Sequence, residues 1–249
     1  MIPTDDLQAF LNAPSIENLW DMLARRFARH GFDRLIYGAT RYRTGTSLGD
    51  PDDFILLSTH DRAYTDRFVG DALYFHAPMV RWALDNDGAC SWSVLHEMAE
   101  TGTLTADERK VMEFNARRGV TAGYSISFRS TSPRLKAAMA LTARVGKTQD
   151  EVDAVWREHG ADIQAIATVA HLRILSLPYT APARTLTPRQ REVLGWVGDG
   201  KTVQDIAQIL NLTPATIEKH LRLAREALNV ETTAQAVLKA SFQHQIHSS

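Results

Sequence analysis

The sequence predicts an α+β protein with two domains: an N-terminal α-β-α sandwich with a central antiparallel sheet, and an all-α C-terminal domain of four helices that contains a helix-turn-helix. Three observations support this fold class. Helix-like and strand-like patterns alternate early in the chain, only helical patterns occur late, and Pro178 and Pro182 separate the two regions. Because proline blocks regular helix and favours an extended chain, we place the domains at residues 1–176 and 186–249, joined by a linker at 177–185.

The composition excludes several classes of protein. Hydrophobic residues make up 44% and charged residues 23% of the chain, as in an ordinary globular protein. With one cysteine, Cys90, the chain can form neither an intramolecular disulfide nor a cysteine-based metal cluster, which fits a cytoplasmic location. No stretch approaches the ~18 consecutive apolar residues of a spanning helix. The N-terminus also lacks the pattern of a signal peptide, so we expect no contact with a membrane.

The N-terminal region combines strands that alternate in hydrophobicity with capped helices. The predicted strands cover residues 34–40, 54–59, 123–128 and 136–143. The predicted helices begin at Ser15 and cover residues 61–69, 105–118 and 148–176. Thr105 and Thr148 are each followed three residues later by a glutamate, which is the pattern of a capping box. The two capped helices enclose a pair of strands, so helices are expected on both faces of the sheet.

The C-terminal region contains helical patterns at residues 187–199, 203–210, 213–228 and 233–244. The second and third of these lie across a short turn, as in a helix-turn-helix. Ile217 and Leu221 are expected to face inward, which leaves polar side chains on the outer face of the third helix. The alternative interpretation is a helical packing or dimerisation domain that exposes these polar residues to solvent.

An outward polar face on the third helix suits the major groove of double-stranded DNA. There arginine can donate to guanine, glutamate can accept from cytosine, and lysine and hydroxyl groups can bind phosphates. The predicted DNA-binding residues are Thr213, Thr216, Glu218, Lys219 and Arg222.

Sequence motifs in this region resemble the DNA-binding domain of LuxR-type regulators. The motifs are LTPRQREVL at residues 186–194, Gly200-Lys201, Ile206-Ala207, Leu210 and TIEKHL at residues 216–221. The sequence departs from the family at Gln190, where glutamate is usual, and at Ala227, where a basic residue is common. The resemblance implies a regulator that binds DNA as a homodimer. The long helix at 148–176 is the predicted dimerisation element, because it leads into the linker and has apolar positions. These are Val152, Val155, Ile163, Ile166 and Val169.

The N-terminal region resembles the autoinducer-binding domain of quorum-sensing LuxR proteins, an α-β-α sandwich that holds an acyl-homoserine lactone. The resemblance lies in helix order, length, residues 64–82 and the segment Ser91-Trp92-Ser93. It implies a ligand pocket lined by Tyr64, Phe68, Ala77, Trp82, Trp92 and Thr142. Thr142, Ala138 and Ala140 share one face of a predicted strand, and one of them should line the pocket. The alternative for the aromatic residues is a purely structural core.

Three of these positions depart from the family pattern. Ala77 stands where the family has an aspartate that accepts the ligand amide N–H, Tyr64 where it has a tryptophan, and Phe68 where it has a tyrosine. An unpaired buried N–H costs about 1–3 kcal/mol. We therefore expect one of three situations: a lactone bound through another contact, a different small apolar signal, or a protein that needs no ligand.

Enzymatic motifs are absent from the sequence. The chain has no His-x-x-x-His pair, no Gly-x-Ser-x-Gly elbow and no phosphate-binding glycine loop. We predict no catalytic residue, no metal ion and no cofactor. The alternative to a DNA-binding regulator is an interaction module that heterodimerises with another regulator and sequesters it.

Overall fold

A computed structural model of the chain describes residues 4–44, 47–130, 132–179 and 184–246. The chain divides into two compact units, Met1–Ser176 and Leu177–Ser249. Residues 180–183 of the predicted linker, including Pro182, lie outside the described residues. No helix in the described ranges is long and apolar enough to cross a membrane.

The first unit is built on a five-stranded antiparallel sheet. Its strands are β1 (Phe32–Thr40), β2 (Ile55–Ser58), β3 (Gly88–Ser91), β4 (Gly123–Phe128) and β5 (Lys136–Ala143), in the spatial order β2-β1-β5-β4-β3. The four predicted strands are present. The edge strand β3 was not predicted, because its sequence Gly-Ala-Cys-Ser lacks the β-branched and aromatic residues typical of strands.

Three helices cover one face of the sheet. They are α1 (Thr4–Leu11), α2 (Ile16–Ala28) and α7 (Gln149–Ser176). Tyr37 of β1 contacts Trp20 of α2 and His171 of α7, and Tyr124 of β4 stacks on Trp156 of α7 at 3.9 Å. Alternate strand residues therefore form a core between the sheet and these helices.

Shorter helices cover the opposite face, which confirms the predicted α-β-α sandwich. They are α3 (Arg62–Thr65), a π-helical turn at Asp66–Gly70, a 3-10 turn at Leu73–His76, α4 (Pro78–Asp85), α5 (Ser93–Glu100) and α6 (Ala106–Arg117). The predicted capping box at the start of α6 is present: Thr105 Oγ1 accepts from Glu108 N at 3.2 Å, and Glu108 Oε2 accepts from Thr105 N at 2.8 Å. Neither α4 nor α5 was predicted.

The positions of α7 that were predicted to face a second subunit are mostly not free to do so. Val152, Ile163 and Ile166 are only 4%, 1% and 1% exposed, because they pack into the core of their own unit. Val155 and Val169 are half-buried. The prediction that these apolar positions of α7 serve dimerisation was therefore wrong for the buried ones, since a buried side chain cannot also contact a partner.

The second unit contains four helices and no strand within residues 184–246. They are α8 (Pro188–Gly198), α9 (Val203–Ile209), α10 (Pro214–Leu228) and α11 (Thr233–Phe242), as the sequence predicted. Ile206 of α9 and Ile217 and Leu221 of α10 lie in one buried apolar cluster. Because the inward positions follow the predicted helical period, the outer face of α10 is polar.

Candidate functional sites

The first unit contains a partly open cavity of ≈190 Å³ between the sheet and the shorter helices. Its walls are mostly apolar. Five of the six predicted ligand-binding residues line it: Tyr64, Phe68, Ala77, Trp92 and Thr142. Trp82 is half-buried and is not among the lining residues. The helical period explains this, because α4 turns Met79, Val80, Ala83 and Leu84 toward the cavity and Trp82 away from it.

Strand β5 forms the floor of the cavity. Ala138, Ala140 and Thr142 all line it, as expected from the alternation of side chains along a strand. The small alanine side chains leave space above the sheet. The alternation predicted that one of these three positions lines the pocket, and all three do so.

Hydrogen bonds hold two aromatic residues of the cavity wall in place. The indole N–H of Trp92 donates to Ser125 Oγ at 2.9 Å, and the hydroxyl of Tyr64 donates to Asn115 Oδ1 at 3.1 Å. The Tyr64 ring also stacks on His60 at 4.3 Å. These contacts fix the polar edges of one end of the cavity.

Three lining residues carry buried polar atoms that have no hydrogen-bond partner in the described part of the chain. These atoms are His60 Nε2, Tyr74 Oη and Thr142 Oγ1. Burial lowers the pKa of His60 to about 4, so its imidazole is neutral near pH 7. An unsatisfied buried polar group is costly, so these atoms favour a guest that forms hydrogen bonds.

Sequence reasoning missed His60, Tyr74 and Asn115 as cavity residues. His76, the neighbour of Ala77, is exposed and does not line the cavity. His60 follows the end of a predicted strand, a position at which a side chain can turn toward either face. Its location depends on how residues 60–77 fold over the sheet, which no local pattern encodes.

The charge of the cavity is low. No aspartate or glutamate is among the described lining residues, and Lys136 is the one charged side chain. The ammonium of Lys136 is neutralised by Asp87 Oδ1 at 3.2 Å. Ala77 precedes α4 and offers no side-chain acceptor. The cavity therefore suits an uncharged, mainly apolar molecule.

The outer face of α10 forms the second candidate site. Glu218, Lys219 and Arg222 are exposed, whereas Ile217 and Leu221 are 0% and 4% exposed. Arg222 Nη1 lies 2.5 Å from Glu226 Oε1 one helical turn later. Thr213 caps the helix by accepting from Thr216 N at 3.2 Å, and the two hydroxyl oxygens are 2.9 Å apart. These polar groups are accessible to a large partner.

Comparison with known proteins matches a long segment of each unit to a known family. Residues 15–174 match the autoinducer binding domain, and residues 184–240 match the bacterial regulatory proteins of the luxR family. The transcriptional activator protein BjaR1 of Bradyrhizobium diazoefficiens is 40% identical over 93% of this chain and 90% of its own length. The transcriptional activator protein AnoR of Acinetobacter nosocomialis is 24% identical over 95% of each chain.

Solved structures show the same fold. The structure of SdiA in complex with octanoyl-rac-glycerol has a TM-score of 0.51 and 16% identity, and the alignment covers 100% of both chains. CepR2 of Burkholderia cenocepacia, described as an N-acylhomoserine lactone-dependent factor, has a TM-score of 0.51 and 18% identity over 69% of this chain and 93% of its own.

Proposed function

Because this chain belongs to the LuxR family of quorum-sensing transcriptional regulators, we propose that its DNA binding as a homodimer responds to an uncharged amphiphile held in the N-terminal cavity. Its relatives are regulators rather than enzymes. The observation that carries the proposal is a mostly apolar cavity whose described walls hold unpaired neutral polar atoms and no carboxylate.

Ala77 determines which signal we propose. Without a carboxylate, an amide N–H must find another acceptor, such as Thr142 Oγ1 or the neutral imidazole of His60. A molecule without an amide N–H avoids this requirement. The ligand named for the SdiA structure, octanoyl-rac-glycerol, is an ester and has no such group. We therefore propose a neutral acyl ester, or an amphiphile of the same polarity, as the better ligand.

The test compares two ligands that share an acyl chain. Purified full-length protein is melted with octanoyl-glycerol or octanoyl-homoserine lactone, and the ligand-induced rise in Tm is measured. We expect the ester to give the larger rise. Ala77→Asp should strengthen binding of the lactone about tenfold or more relative to the ester, because it restores the acceptor.

Two details make this test specific. An aspartate at the residue before α4 can also cap that helix, so the readout is the difference made by ligand and not the Tm itself. Ala154→Asp, at an exposed position of α7, is the matched control and should change neither response. If both ligands leave Tm unchanged and the protein still binds DNA, the cavity does not bind such amphiphiles and the proposal fails.

For DNA binding, we propose that Arg222 and Glu218 read base edges, while Thr213, Thr216 and Lys219 hold phosphates. The exposure of Glu218, Lys219 and Arg222 supports this assignment. A homodimer would present two such helices to half-sites about one helical turn, ~34 Å, apart. The competing role is sequestration of another regulator through a heterodimer, and it predicts that the protein binds no specific DNA sequence. Recovery of one enriched motif in a DNA pull-down followed by sequencing would exclude it.

A further inference from the structure

The two ends of the cavity are defined by the register of the sheet. Lys136 and Thr142 both line the cavity and lie at opposite ends of β5. Six residues of strand at ~3.3 Å each separate them by roughly 20 Å. A cavity of ≈190 Å³ that extends over this distance is narrow. It suits an extended molecule with two distinct ends.

Strand pairing assigns the polar residues to these ends. Ser58 of β2 pairs with Ile36 of β1, and Ile36 pairs with Ala140 of β5, so His60 lies toward the Thr142 end. Tyr64 stacks on His60 and donates to Asn115, and Trp92 lies beside Gly123, which pairs with Thr142, so these side chains share that end. This end, with several polar atoms, is the natural place for the head of an amphiphile.

Tyr74 lies toward the other end. The centroid of its ring lies 6.1 Å from that of Phe54, which immediately precedes Ile55. Ile55 pairs with Ala39, and Ala39 pairs with Ala137 near the start of β5. Tyr74 is 8% exposed, and its hydroxyl is buried without a partner in the described residues. The Tyr74 hydroxyl is thus a hydrogen-bond donor at the end where an unmodified acyl tail would place only apolar groups.

We infer that the ligand carries a second polar group, an uncharged hydroxyl or carbonyl oxygen at the far end of its acyl portion, and that Tyr74 is the specificity-determining residue that binds it. This inference rests on the proposed function, because it concerns the same cavity. Lys136 lies at this end but does not favour a carboxylate on the ligand. Its ammonium is already bound by Asn86 O at 3.0 Å and Asp87 Oδ1 at 3.2 Å, so its charge is compensated. A second, uncompensated charge would be buried at a high cost.

The test uses matched pairs of acyl-glycerols with octanoyl, decanoyl and dodecanoyl chains, each with and without a terminal hydroxyl. Kd values are measured by calorimetry on the full-length protein. In the pair whose length fits, the hydroxylated member should bind about three- to tenfold more tightly, the range expected for one net hydrogen bond. Tyr74→Phe should abolish this preference, so that the two members of each pair bind with equal Kd.

Tyr64→Phe is the matched control. It removes a hydroxyl at the opposite end, which is bonded to Asn115. It should weaken both members of each pair equally and leave the preference for the hydroxylated member unchanged. No preference in the wild-type protein at any length, or a preference that survives Tyr74→Phe, would overturn the inference alone. Binding of neither member of any pair would overturn the proposed function, and this inference with it.

Discussion

The hydroxyl of Tyr37 lies 2.9 Å from Nδ1 of His171, in the core on the side of the sheet away from the cavity. Phe128 stacks flat on the same imidazole at 4.2 Å. His171 belongs to α7 and is 3% exposed. Burial lowers its pKa from 6.5 to about 4, so the folded protein keeps this imidazole neutral at pH values where an unfolded chain protonates it.

The first prediction concerns the dependence of stability on pH. Between pH 6.5 and about 4 the unfolded state binds a proton at His171 that the folded state does not bind. The contribution of neutral His171 to the free energy of unfolding should therefore be fully present above pH 6.5. It should be lost as pH falls through this range, by up to about 3 kcal/mol. Urea unfolding at several pH values measures this slope.

His171→Gln should reduce the slope, although some dependence will persist because the pKa of His60 is lowered to about 4 in the same way. Replacement of the exposed, non-titrating Ala154 by glutamine is the control and should leave the slope unchanged. An equal slope in the wild-type and His171→Gln proteins would show that this imidazole titrates alike in the folded and unfolded states.

The second prediction concerns Gly123, where β4 passes close to β5 and to the cavity wall. A Cβ at this position would collide with the carbonyl oxygen of Leu141 and lie 2.9 Å from Cζ3 of Trp92. Gly123→Ala should therefore lower the free energy of unfolding by about 1–3 kcal/mol, because the strand or the indole must move. Denaturant unfolding of the full-length protein measures the change.

Gly38→Ala is the matched substitution, since Gly38 also lies in a strand beside the cavity but has nothing within 4 Å of the added Cβ. It should stabilise the fold by roughly 0.5–1 kcal/mol and weaken ligand binding by filling part of the cavity. If both variants lose stability equally, crowding at Gly123 is not the cause.

Helix starts were predictable because their signals are local. Thr187 and Gln190 form a capping box at the start of α8, with bonds of 2.8 Å and 3.3 Å. Thr148 and Glu151 do the same at the start of α7. In each case the residues that specify the end of the helix lie within one turn of it, so tertiary structure does not decide the outcome.

The cavity was predictable only in part. The alternation along β5, a local pattern, put Thr142 on one face with Ala138 and Ala140, and the family resemblance implied that one of them lines the pocket. Tyr74 and His60 were not predicted, because their positions depend on the π-helical and 3-10 turns between residues 66 and 76, and on Ala72, which adopts a left-handed φ of 57°. Alanine rarely adopts a left-handed conformation, so the packing of the whole segment must hold Ala72 in it.

The third prediction separates reading of bases from binding of phosphates on α10. With the enriched DNA motif in hand, Arg222→Ala should cost about 1–3 kcal/mol at one position and relax specificity there. Lys219→Ala should weaken binding to all sequences and reduce the slope of log Kobs against log salt by about 1. Fluorescence anisotropy over a range of salt concentrations measures both effects.

Glu226→Gln is the matched control for Arg222, because it removes the 2.5 Å ion pair and keeps the guanidinium. It should leave specificity intact and strengthen binding, because the Arg222 guanidinium no longer has to leave an ion pair to reach DNA. The gain should be small, since an exposed pair of this kind is worth less than about 1 kcal/mol. Uniform weakening by Arg222→Ala on every sequence would instead identify Arg222 as a phosphate contact.

The fourth prediction concerns the turn that joins α9 to α10. Asn211 has a φ of 52°, in the left-handed region that asparagine and glycine tolerate better than other residues. Asn211→Ala should therefore lower the free energy of unfolding by about 1 kcal/mol, whereas Asn211→Gly should preserve it or raise it slightly. Because Asn211 is exposed, the difference reports backbone conformation and not lost packing. Thermal unfolding of the two variants, alongside an alanine substitution at exposed Gln208 of α9, measures this difference. An Asn211→Ala protein as stable as the Asn211→Gly protein would show that the left-handed turn is not required to hold α10 in place.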